Sequence, residues 1–72
     1  MFKNNIRKYR EEYGMTREQL ADKALISVES IRRYENGAKI PVRTLYLLAT
    51  ILDVGIDELR GLPKQMIRRQ MP

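Results

Sequence analysis

Apolar residues along this chain recur at intervals of three and four rather than alternating, and each run stops at a glycine, a proline or a small hydroxyl residue. Ile6, Tyr9 and Tyr13 fall on one face of a segment otherwise made of Lys, Arg and Glu, which predicts a first helix over Lys3 to Tyr13. Gly14 closes it, as the residue that most readily takes the left-handed conformation just past a helix end. Thr16 and Gln19 have the form of a capping box, so a second helix runs from Arg17 to Ala24 with Leu20, Ala21 and Ala24 inward. Ser27 is a second cap, weaker because Ser30 follows it, and it opens a third helix over Val28 to Tyr34 that Asn36 and Gly37 stop. Pro41 suits the first turn of a fourth helix, whose buried stripe is Leu45, Leu48, Ala49 and Leu52. After a link at Asp53 to Gly55, a fifth helix over Ile56 to Arg60 turns Leu59 inward and ends at Gly61 and Pro63. The fold class is all-α, with five helices.

Only about three residues separate the second helix from the third, too few to fold one back antiparallel on the other, so the two cross steeply. The folded domain is expected over residues 1–63. Residues 64–72 hold Lys64, Arg68 and Arg69 with few core candidates and form a basic C-terminal tail.

Composition narrows the function. A chain of 72 residues with no cysteine holds one modest core stabilised by packing alone, and the lack of cysteine agrees with a reducing cytoplasm. The longest apolar stretch, Leu45 to Leu52, is far short of the roughly 20 residues that cross a bilayer, and no export signal is evident, so a cytoplasmic protein is expected. Fourteen Lys and Arg against nine acidic residues give a net charge of +5, which favours a polyanionic partner. With no His, no Cys, no glycine-rich phosphate loop and no clustered metal-ligand spacing, neither an enzyme nor a metal site is expected. The four Met residues are scattered and read as core filler and terminal residues, and no cofactor is implied.

The chemistry concentrates on the third helix. At 100° per residue, Ile31, Tyr34 and Glu35 point one way while Glu29, Arg32, Arg33 and Asn36 gather on the other. A charged outer face of this kind suits the major groove, where Arg pairs bidentately with guanine and Glu accepts from cytosine. The same spacing also describes ordinary surface ion pairs, since Glu29 stands three and four residues before Arg32 and Arg33. The face by itself does not decide between these readings.

A wider pattern bears on that choice. Ile6, Tyr9-Arg10-Glu11, Gly14-Met15-Thr16, Leu20-Ala21, Ser27, Ile31, Tyr34-Glu35-Asn36-Gly37, Pro41, Leu45, Leu48-Ala49, Leu52 and Asp57 to Leu59 together resemble the Cro/C1-type helix-turn-helix family of phage repressors and small bacterial regulators. The resemblance implies a lambda repressor-like DNA-binding domain in which the third helix reads an operator. It implies that Val28, Glu29, Arg32 and Arg33 meet base edges, with Val28 against a thymine methyl. Arg17, Ser27, Asn36, Lys39 and Arg43 would then contact phosphate or the groove, Asn36 and Gly37 through backbone amides that serve equally well as a helix cap. Arg10 and Glu35 match a partly buried structural ion pair of related repressors. The implied partner is double-stranded operator DNA, bound by a homodimer that forms weakly in solution and more firmly on a palindrome.

Three departures qualify the match. Leu25 stands in the turn between the second and third helices where glycine is usual, so the turn is either strained or bent differently. Gly55 replaces the usual Ser or Asp cap, which predicts a weak start to the fifth helix. Leu47 and Ile51 place apolar groups on the side of the fourth helix away from its buried stripe; with Ile56, and Leu62 nearby, they are the expected dimer interface. The competing function is a protein-interaction module of the same fold, an antitoxin or antirepressor partner, in which the arginines of the third helix are unimportant and the fourth helix and tail are sensitive.

Overall fold

The computed structural model describes residues 4–61 and contains five helices: α1 (Ile6–Glu12), α2 (Arg17–Ala24), α3 (Val28–Glu35), α4 (Val42–Leu52) and α5 (Ile56–Arg60). No strand occurs among the described residues. Each helix sends one large aliphatic side chain, Ile6, Leu20, Ile31, Leu48 or Leu59, into a fully buried centre. Burying such a group stabilises the fold by about 1.5 to 3 kcal/mol each, so no helix is ornamental to the core. Ala21, Ala24, Leu45, Ala49 and Leu52 complete it, and the two alanines of α2 let neighbouring backbones come close.

The caps act as the sequence implies. Thr16 Oγ1 accepts from the Gln19 amide at 3.0 Å while Gln19 Oε1 accepts from the Thr16 amide at 2.8 Å, completing the box at the start of α2. Ser27 Oγ accepts from the Ser30 amide at 3.0 Å at the start of α3. Gly14 takes a φ of 81° beyond α1. Pro41 lies one position ahead of α4 rather than inside it: its ψ of 144° is extended, and its carbonyl accepts from the Leu45 amide at 2.9 Å. α5 starts better secured than expected, because Glu58 Oε1 accepts from the Gly55 amide at 3.0 Å and supplies from within the helix half of what the cap side chain lacks.

α1 begins at Ile6 within the described residues, and Lys3 lies outside them. The residues just ahead of it serve as ties instead. Asn4 Nδ2 donates to the Tyr34 carbonyl at 2.8 Å, Asn5 Nδ2 to the Glu58 carbonyl at 2.9 Å, and the Asn5 amide to the Leu59 carbonyl at 2.8 Å. Tyr13, expected inward, is exposed, because α1 ends at Glu12 and Gly14 turns the chain away. The tail and Leu62 lie outside the described residues.

Leu25 resolves the open question about the turn. It adopts φ 58°, ψ 39°, the left-handed geometry a glycine normally supplies there, and the following Ile26 amide reaches back to the Ala21 carbonyl at 3.1 Å. The turn keeps its shape, and the leucine is strained by about 1 to 2 kcal/mol. Nothing offsets that strain, since its side chain is 89% exposed.

Candidate nucleic-acid interface

α2 and α3 pack on each other more extensively than any other helix pair, and the short turn at Leu25 sets their crossing. α3 is anchored from inside by Ile31, with Val28 and Tyr34 half-buried against the core. Its other side carries Glu29, Arg32, Arg33 and Asn36, all exposed, as the wheel places them. The sequence-derived face therefore exists as one surface, except that Val28 lies at its inner edge.

The partners of these side chains differ. Arg32 Nη2 approaches Glu29 Oε1 at 3.2 Å, the surface pair that the spacing allowed, and with both side chains more than half exposed it contributes little to stability. Arg33 has no side-chain partner among the described residues. Ser27 spends its hydroxyl on the cap, since Oγ accepts from the Ser30 amide and lies 3.0 Å from Ser30 Oγ. The Asn36 amide is shared between the Arg32 and Arg33 carbonyls at 3.1 Å each, and the Gly37 amide donates to the Tyr34 carbonyl at 3.0 Å. These two amides close the helix and are not available to a phosphate; what Asn36 presents outward is its side chain. Lys39 and Arg43 are both exposed beyond α3.

Behind this face lies the strongest polar feature of the chain. Glu35, with a side chain 2% exposed, receives Arg10 Nε on Oε2 at 2.7 Å and Arg17 Nε on Oε1 at 3.0 Å. Arg10, 8% exposed in its side chain, also donates through Nη1 to the Met15 carbonyl at 2.8 Å. The expected Arg10 and Glu35 pair is thus half of a three-residue network joining α1, α2 and α3. The family resemblance implies a phosphate or groove contact for Arg17, and nothing in the spacing of residues 17 and 35 signals their contact. Its side chain remains 40% exposed at the start of α2, so it borders the outer surface while bound to Glu35.

A short helix held by its core face and offering cations on the other side, crossed by a second helix through a tight turn, is the arrangement of a helix-turn-helix unit. A family model described as Helix-turn-helix matches residues 6–59. The chain belongs to the Cro/C1-type helix-turn-helix family. Among curated proteins this helix-turn-helix chain is 37% identical over 60 residues to an uncharacterized HTH-type transcriptional regulator, YqaE, of Bacillus subtilis, covering 82% of the chain and 52% of YqaE. It is 35% identical over 60 residues to the cryptic phage CTXphi transcriptional repressor RstR of Vibrio cholerae, covering 82% of the chain and 54% of RstR. The chain therefore spans about half the length of these relatives. Among solved structures it is similar to the crystal structure of the master regulator for biofilm formation SinR in complex with DNA, with a TM-score of 0.66 and 26% identity, covering 71% of this chain and 84% of the chain in that structure. No helix among the described residues is long and apolar enough to cross a membrane, and no group of His, Cys, Asp and Glu there is placed to hold a metal ion.

Proposed function

We propose that this helix-turn-helix chain binds double-stranded DNA in a sequence-specific manner and represses transcription, inserting α3 into the major groove of a palindromic operator as a homodimer in the cytoplasm. The observation that carries the reading is the division of labour on α3: Ile31 is fully buried on one side, while Arg33 projects from the other with no protein partner among the described residues. A guanidinium left without a partner by its own fold is free to pair bidentately with a guanine edge, a contact worth about 1 to 3 kcal/mol of discrimination. Arg32 and Glu29 reach the groove by exchanging their surface pair for bases, and Val28 reaches it from the inner edge. Arg17, the Asn36 side chain and Lys39 border the groove at phosphates, with Ser27 shaping the start of α3. The likeness to SinR in complex with DNA and to a phage transcriptional repressor supports the same reading. Half-sites of such a dimer lie about one helical turn of DNA apart, roughly 34 to 36 Å.

Selection of bound DNA from a random pool tests it. The parent is expected to enrich one symmetric sequence, and Arg33→Ala to lose preference at one symmetric pair of positions. An unchanged selection with Arg33→Ala removes Arg33 from base reading, and no enrichment by the parent overturns the regulator function.

A further inference from the structure

α4 carries an outward face that its own fold leaves unused. Val42 is 68% exposed, Tyr46 60% and Leu47 40%, and Arg43 and Thr50 lie among them on the same half of the helix. Of the residues expected at a dimer contact, Leu47 is the most exposed, while Ile51 and Ile56 are half-buried against the core. What remains is an apolar patch of Val42, Tyr46 and Leu47 over about one and a half turns, on a face with one charge at each end of the helix, Arg43 in the first turn and Asp53 at the C-cap.

Both charges sit at the wrong end of their helix. The start of a helix disfavours a cation and its end disfavours an anion, because the aligned peptide dipoles leave partial positive charge at the first turn and partial negative charge at the last. Neither Arg43 nor Asp53 has a partner among the described residues to offset this. A second α4 running antiparallel across the first reverses the situation for both charges at once. Arg43 and Asp53 are ten residues apart, about 15 Å along the helix, so a two-fold axis at the level of residue 48 lays Arg43 of one protomer beside the partner's Asp53, and each charge beside the helix end that favours it. Tyr46 and Leu47, within about 3 Å of that axis along the helix, then meet their own counterparts. A parallel pairing would set Arg43 against Arg43. The pattern is self-complementary in one orientation only.

We propose that the outward face of α4 docks on the same face of a second copy of this chain in an antiparallel, two-fold contact. The contact deepens the homodimer of the proposed function, and it assigns Arg43 to the protein interface rather than to a phosphate.

Sedimentation of the full chain without DNA tests the contact. The parent is expected to dimerise reversibly, and Arg43→Asp or Asp53→Arg alone to raise the dimer dissociation constant by about tenfold or more, since each change converts two attractive pairs into two repulsive ones. The double variant Arg43→Asp/Asp53→Arg is expected to regain most of the parent association. Leu47→Glu should abolish it, and far-UV circular dichroism checks that each variant is folded. A monomeric parent, or single variants that dimerise like the parent, overturns the proposal. So does loss of the dimer in Ile67→Glu with no effect of the charge changes, which would make the tail the contact. If Arg43 serves DNA instead, Arg43→Asp weakens operator binding with sedimentation unchanged, again against the proposal. Because no DNA is present, failure of sequence-specific selection leaves this result standing, and the two readings fail separately.

Discussion

Replacing the three members of the buried charge network one at a time should give unequal losses of stability in an order set by geometry. Arg10 is almost fully enclosed and serves two acceptors, Glu35 Oε2 at 2.7 Å and the Met15 carbonyl at 2.8 Å. In Arg10→Met the methionine fills much of the volume, but the Met15 carbonyl loses its donor and Glu35 keeps only Arg17. A buried group left unsatisfied costs about 1 to 3 kcal/mol, and a buried charge stripped of every partner about 3 to 5. Because Arg17 remains, we place Arg10→Met at about 2 to 3 kcal/mol, between those limits. Glu35→Gln leaves the enclosed Arg10 with only the half-exposed Glu11, 3.8 Å from Nη2, as a counter-charge, and should cost about 3 kcal/mol, at the low end of the range for a stranded buried charge. Arg17→Met removes a side chain that water already reaches and should cost at most about 1 kcal/mol. Urea unfolding followed by far-UV circular dichroism measures all three, and in a domain of this size each kcal/mol moves the melting temperature by about 4 to 8 °C. A double variant, Arg10→Met with Glu35→Leu, should be more stable than Glu35→Gln because no charge is left stranded. The reasoning fails if Arg17→Met is as damaging as Arg10→Met, or if all the single variants melt with the parent.

Two further outcomes follow from the same structure. Leu25→Gly should raise stability by about 1 kcal/mol, since glycine relieves the left-handed strain and an exposed leucine gives up no packing; thermal unfolding checks it, and a lower melting temperature would show that the side chain does something unseen in the isolated chain. Lys39→Gln should leave the melting temperature unchanged while lowering the slope of log affinity against log salt by about one, the signature of one lost phosphate contact; an unchanged slope removes Lys39 from the DNA surface.

Helix order and most of the core were legible because local signals agreed with one another. The Thr16 and Gln19 box, the Ser27 cap and the Leu45, Leu48, Ala49, Leu52 stripe each fix an element within a few residues of chain, and all appear as expected. The outer face of α3 was legible for the same reason, since 100° per residue is enough to separate Arg32 and Arg33 from Ile31. What could not be read was set by contacts between distant parts of the chain. The asparagines at positions 4 and 5 look like ordinary polar residues until the carbonyls of Tyr34 and Glu58 stand beside them. Arg17 likewise reads as a surface cation, and only the crossing of α2 over α3 brings it to Glu35. Leu25 lay between these cases: its position demanded the left-handed conformation, its identity resisted it, and the position prevailed.

That outcome points to how a helix as short as α3 is held. Eight residues make too little helix to persist alone in water, where isolated helices below about 12 to 15 residues are marginal. Tertiary contacts must therefore hold α3: Ile31, with Val28 and Tyr34 half-buried beside it, fixes its depth and turns one side inward, but apolar contacts are not directional and fix its rotation only loosely. Directional bonds supply that. Ser27 closes the first turn, Asn4 grips the Tyr34 carbonyl, and Glu35 is pulled by Arg10 on one oxygen and Arg17 on the other. Such ion pairs add little net stability over an apolar substitute, but they bind at defined angles, and a helix pinned by them at its C-terminal end presents its outer side chains in one orientation. All of these attachments lie at the ends or on the inner side. Arg33, in the middle of the outer face, is left out of the network that orients it.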